Sequence, residues 1–77
     1  MPITAAQCRA ARGLIGWSQD QLAAASNVAK ATIANFELGK RSPYDRTLDD
    51  LIAAFEAAGV QFIAENGEGL GVRLKRR

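Results

Sequence analysis

The chain has no histidine and one cysteine, Cys8, among its 77 residues. Without histidine there is no Ser/His or Cys/His pair for nucleophilic catalysis and no His-containing zinc set, and a lone cysteine forms no internal disulfide. Most familiar catalytic constellations are thereby excluded. No apolar stretch approaches the 18 or so residues of a membrane span, and the opening Met-Pro-Ile-Thr lacks the basic patch, apolar run and cleavage site of a signal peptide. A reducing cytoplasm is the expected location. The glycines between Gly67 and Gly71 come without a Walker lysine or a GxGxxG pattern, so no phosphate-cradling loop is read there. Aromatic residues are only 6% of the chain. Trp17, Phe36, Phe55 and Phe62 are too far apart to suggest a stacking surface and are read as core.

What remains is one small domain. A chain of this length buries only about 60% of its unfolded surface, which leaves little room for a catalytic cavity. Hydrophobic residues are 48% and charged residues 23%, the balance of a folded soluble protein. The net charge of +2 says little, but its distribution says more. Through residue 47, Arg9, Arg12, Lys30, Lys40, Arg41 and Arg46 outweigh Asp20, Glu37 and Asp45 by +3. Residues 48–69 carry only Asp49, Asp50, Glu56, Glu65 and Glu68, a charge of −5. Arg73, Lys75, Arg76 and Arg77 then add +4. An acidic segment thus separates two basic ones.

Thr4-Ala5-Ala6-Gln7 has the form of a capping box, predicting a first helix from about Ala5 that weakens at Gly13 and Gly16 and stops before Trp17. A second box, Ser18-Gln19-Asp20-Gln21, opens a helix of roughly eight residues that ends at Ser26-Asn27, since Asn tolerates the left-handed conformation of a helix end. A third helix is expected from Lys30 to Leu38, stopped by Gly39. At 100° per residue, Thr32, Ile33, Phe36 and Glu37 fall on its inner arc, and Lys30, Ala31, Ala34, Asn35 and Leu38 on the outer one. After a basic loop, Thr47 is the expected cap of a fourth helix bearing the stripe Leu48, Leu51, Ile52, Phe55 and Ala58, ended by Gly59. Beyond it the apolar period changes to two, and residues 60–63 and 72–75 read as a β-hairpin. The expected class is mostly α, four to five short helices followed by a two-stranded hairpin. A lone hairpin is marginal in water, so this one must pack on the helices or pair with another chain, and pairing in a dimer is favoured. The domain reading is 1–59 for the helical part and 60–77 for the hairpin and basic tail, the candidate dimerisation element.

Two short helices joined by about three residues, with an exposed face on the second, follow the plan of a helix-turn-helix over Ser18–Leu38. Through Arg12, the run from Trp17 to Ala23 and the run from Val28 to Arg41, the chain resembles the phage repressor and Cro-type (Xre-like) helix-turn-helix family from Ile3 to about Gly59. The resemblance implies a DNA-binding transcriptional regulator without enzymatic activity or cofactor, acting on double-stranded DNA as a homodimer at a palindromic operator. By the same resemblance, Gln19 with its cap Ser18 contacts a phosphate, and Ala29, Lys30, Ala31 and Asn35 face the bases. Thr32 then lies near phosphate or is partly packed, and Lys40 and Arg41 run beside the DNA backbone. Arg12 and Glu37 match a structural salt bridge. The family often has Ser or Thr where Ala29 stands, a departure that removes a donor.

Physical reasoning singles out the same helix start. Ala29 is a poor cap, about 1 kcal/mol worse than Ser or Thr, and Lys30 places a cation at the positive end of the helix dipole. Broken local rules at an exposed place suggest a functional demand, with a solvated lysine as the bland alternative. Asn35 matches the N6/N7 edge of adenine and Lys30 the O6/N7 edge of guanine. The acidic fourth helix and following loop are expected to face away from DNA, and the tail from Arg73 to Arg77 is either a DNA arm or a solubilising end. Two rival readings stand beside the regulator: an antitoxin that also binds a toxin partner, and a protein-interaction module that never binds DNA.

Overall fold

The computed structural model describes residues 3–75. Its elements run α1 (Ala5–Ile15), α2 (Gln19–Ser26), α3 (Lys30–Glu37), α4 (Asp45–Ala57), β1 (Val60–Ile63) and β2 (Gly71–Leu74). The fold is mostly helical with a carboxy-terminal antiparallel hairpin, as the apolar periods predict.

Both capping boxes form. Thr4 Oγ1 accepts from the Gln7 amide at 3.1 Å while Gln7 Oε1 accepts from the Thr4 amide at 2.9 Å. Ser18 and Gln21 repeat the exchange at 3.1 and 2.8 Å. Gly16 (φ 68°) ends α1, and Asn27 (φ 60°) ends α2 in the left-handed conformation its short amide side chain tolerates. Residues 27–29 are then the whole turn between α2 and α3. Buried Ser26 clamps it, its hydroxyl donating to the Leu22 carbonyl at 2.7 Å and accepting from the Val28 amide at 3.2 Å.

The start of α4 departs from expectation. The helix begins at Asp45, with Tyr44 in the cap position and no side-chain cap bond, so Thr47 is inside the first turn instead of capping it. The Leu48 amide already bonds the Tyr44 carbonyl at 3.1 Å, and Asp45 puts a negative charge at the positive end of the dipole. Helical backbone bonding therefore outweighs the hydroxyl cap. The strand after the loop also starts one residue early, at Gly71.

One core joins all these elements. Cys8 and Ala11 from α1, Leu22 from α2, Ile33 from α3, Leu51 and Phe55 from α4 and Val60 from β1 are all buried. Trp17 stacks on Phe55 at 5.9 Å, and Phe62 meets Phe55 edge-on at 5.6 Å, which places these aromatics in packing, as their spacing suggests. The hairpin pairs Val60 with Leu74 and Ile63 with Gly71, and it lies on α1 and α4, where Phe62 and Val72 extend the core. Packing on the helices supplies the support that an isolated hairpin lacks. Gln7 adds a polar tether: its Nε2 donates to the Gly71 carbonyl at 3.0 Å and the Ile63 carbonyl at 3.3 Å. Among the described residues, no helix is long and apolar enough to cross a membrane.

Candidate nucleic-acid interface

α3 is half sunk into the fold. Ile33, Phe36 and Glu37 are buried, while Ala29, Lys30, Ala31, Asn35 and Leu38 are exposed and Thr32 is half-buried. Apart from Leu38 at the helix end, the exposed side carries small residues with one cation and one amide, so a flat surface can approach the helix axis closely. Beside it lies an open groove of about 350 Å³. Ala31, Thr32 and Asn35 line one wall, and Arg41 through Tyr44 with Thr47 line the other. The chain reverses between the walls through Gly39 (φ 74°), and the Lys40 amide donates to the Asn35 carbonyl at 2.9 Å. Lys40 and Arg41 are exposed just beyond that reversal.

The structure thus brings Ala31, Thr32, Asn35 and Arg41 to one groove. Lys30, just before Ala31, is not among the residues that line the groove, and its ammonium reaches Asp20 of α2 at 3.2 Å. Both side chains are more than half exposed, so the pair is weak. It nonetheless gives the cation at the start of α3 a partner within the protein, across the turn. Ala29 makes no side-chain cap bond, as its methyl group requires.

Gln19 is not free on the surface either. Its Nε2 donates to Glu37 Oε1 at 3.0 Å, which leaves its carbonyl oxygen and one N–H for another partner. Ser18 spends its hydroxyl on the cap. Arg12 and Glu37 lie beneath this surface and form a two-pronged pair, Nη2 to Oε1 at 2.6 Å and Nε to Oε2 at 2.7 Å. Cys8 Sγ donates to Oε2 at 3.2 Å, Arg12 Nη1 donates to the Trp17 carbonyl at 3.0 Å, and Arg9 Nη1 bonds the Glu37 carbonyl. Each Glu37 oxygen therefore accepts two bonds, which saturates the carboxylate.

That saturation governs the ionisation of the cluster. Burial pushes the Glu37 carboxyl up, but the bonds from Arg12, Gln19 and Cys8 outweigh it and hold the group below its ordinary range. The Glu37 bond raises the Arg12 guanidinium still further. Burial first, then the neighbouring carboxylate, pushes the Cys8 thiol up to about 12, so it is a neutral donor and a poor nucleophile.

Three of these positions were not legible as such in the sequence. Gln7 reads there only as half of a capping box, Asp20 only as an acid within the second box, and Ser26 only as a helix end. In the tail, Arg73 Nε donates to Gln61 Oε1 at 2.8 Å across the hairpin, Lys75 is exposed, and Arg76 and Arg77 lie outside the described residues.

A family model described as helix-turn-helix matches residues 9–58, which take in both motif helices, the groove and most of α4. No curated protein matches the chain.

Proposed function

Because the chain belongs to the Cro-type helix-turn-helix family of DNA-binding regulators, we propose that it reads a palindromic operator as a dimer, with α3 in the major groove of double-stranded DNA. The observation that carries this reading is the exposed face of α3, where Asn35 and Ala31 adjoin Arg41 across a groove while Glu37 anchors the opposite face in the scaffold. Asn35 supplies a paired donor and acceptor for a base edge, adenine being the best chemical match. Lys30 is offered to guanine or phosphate once it leaves Asp20, and the small side chains of Ala29 and Ala31 permit close approach. Gln19, near the start of α2 and its cap Ser18, supports a phosphate contact through the helix N-terminus and the amide hydrogen that Glu37 leaves free. Thr32, Lys40 and Arg41 support the DNA backbone on the far side of α3.

Two copies then present their α3 helices about 34 Å apart in successive major grooves. Nucleoid association follows from that binding, and no catalytic step or cofactor enters it. Selection of bound sequences from a random duplex pool at moderate salt, followed by sizing of the complex, tests the reading. An enriched palindrome carrying two chains is the expected result. Failure to enrich any sequence, with no salt-dependent association, contradicts it and favours a protein-interaction module.

A further inference from the structure

We propose that Asp20 determines specificity on the DNA-binding face: its carboxylate neutralises Lys30 on random duplex and yields it to a guanine edge. The inference rests on the proposed function and names the group that regulates one of its reading residues.

The turn between the two motif helices builds the pair. Asp20 is the second residue of α2 and Lys30 the first of α3. Ten positions apart in sequence, they meet with the Lys30 ammonium 3.2 Å from Asp20 Oδ1 and 3.3 Å from Oδ2. Left-handed Asn27 and the Ser26 hydroxyl on the Val28 amide fix the turn that brings them together. Among the described residues, neither side chain has a second polar partner. Ala29 and Ala31, on either side of Lys30, offer only methyl groups.

Helix stability accounts for the acid but not for the cation. A carboxylate in the first turn of α2 suits the dipole there, whereas an ammonium in the first turn of α3 opposes it. Affinity for DNA accounts for the cation but not for the acid, since a carboxylate on this face repels phosphate. Neither demand alone selects both residues; control of the cation by the acid does.

Charge and geometry decide which partner opens the pair. Closed, it is neutral and releases no counterion, so it adds nothing to the attraction of random duplex. Turning Lys30 to a phosphate exchanges one anion for another and leaves Asp20 bare beside the polyanion, with little net gain. A guanine edge offers two acceptors, O6 and N7, in a fixed geometry that a single ammonium spans. An exposed ion pair is worth at most about fivefold in an equilibrium, and a two-pronged base contact roughly 5- to 150-fold in discrimination. The guanine contact therefore outweighs the pair where the phosphate contact does not.

A double-mutant cycle tests the coupling: parent, Asp20→Asn, Lys30→Ala and the double variant, each titrated with random-sequence duplex and with the selected operator and its base-pair variants over a range of salt. Both positions are exposed, and circular dichroism checks that each variant folds. In the parent, Lys30→Ala should abolish discrimination at one guanine per half-site and leave the salt slope on random duplex unchanged. In the Asp20→Asn chain, the freed Lys30 should steepen that slope by about 0.9, tighten random duplex several-fold and discriminate guanine less. Adding Lys30→Ala should then remove the added slope. Equal slope changes for Lys30→Ala in both chains overturn the proposal, because Lys30 is then a phosphate contact that Asp20 does not control. Guanine discrimination that survives Lys30→Ala in the parent overturns it as well. So does an Asp20→Asn chain with the parent's slope and discrimination, which leaves Asp20 to the helix dipole. A parent that enriches no sequence from a random pool contradicts the proposed function itself, and the control of Lys30 with it.

Discussion

Glu37 is the residue on which the candidate interface rests, although it faces away from it. Its carboxylate holds α1 through Arg12 and Cys8 and α2 through Gln19, so one side chain ties both neighbouring helices to the back of α3. Removing the charge strands a largely buried guanidinium, and Glu37→Gln should cost about 3 kcal/mol in denaturant unfolding. The pH dependence has a definite sign. The folded carboxyl is held below its unfolded value, so its stabilisation is fully present above the unfolded pKa and fades as pH falls through the folded one. The gap in stability between the parent and Glu37→Gln should therefore shrink in acid; a gap that is constant from neutral pH to acid would contradict the ionised cluster. Cys8 behaves in the opposite sense. Its thiol is raised from 9.0 to about 12, so the folded state loses stability as pH rises through that interval. Below it, a thiol reagent should label the parent only at the rate of unfolding, and rapid labelling of the folded chain would contradict the burial of Cys8.

At the scale of elements, the hairpin depends on a polar contact that spans 64 residues, from Gln7 to Gly71. Gln7→Ala removes the tether and half of the α1 cap together, leaving two strand carbonyls without that donor. It should destabilise the chain by about 1–3 kcal/mol and loosen the hairpin more than α2 or α3 in amide hydrogen exchange. Uniform loosening would show that the tether is not specific to the hairpin. This contact marks the boundary of what the sequence discloses. The helices, the left-handed Asn27 and the strand period were legible because each rests on neighbours within a turn or two. The Thr47 cap was misread because a cap competes with backbone bonding to Tyr44, which propensity does not weigh. Gln7 to the hairpin, Gln19 to Glu37 and Lys30 to Asp20 were hidden because each joins elements whose mutual placement follows only from the packed core. In the candidate interface the residue types were readable, whereas their prior commitments to other side chains were not.

For the whole molecule, the distribution of charge matters more than its sum. The helix-turn-helix part carries +3 and the segment after it −5, an arrangement that orients approach to a polyanion. The molecule measures 31 × 26 × 19 Å, so two copies side by side are commensurate with the spacing of about 34 Å between successive major grooves. Asn35 and Arg41 line one groove, and the proposed function assigns them different tasks, the first reading sequence and the second supplying charge. The central claim is tested most directly by titrating the parent, Asn35→Ala and Arg41→Ala against the selected operator and its single-base-pair variants at several salt concentrations. Asn35→Ala should lose discrimination at one position per half-site, worth about 1–3 kcal/mol. Arg41→Ala should weaken binding to every duplex alike and lower the salt slope by about 0.9 per lost phosphate contact. Uniform weakening by Asn35→Ala, with discrimination intact at every position, would contradict the account.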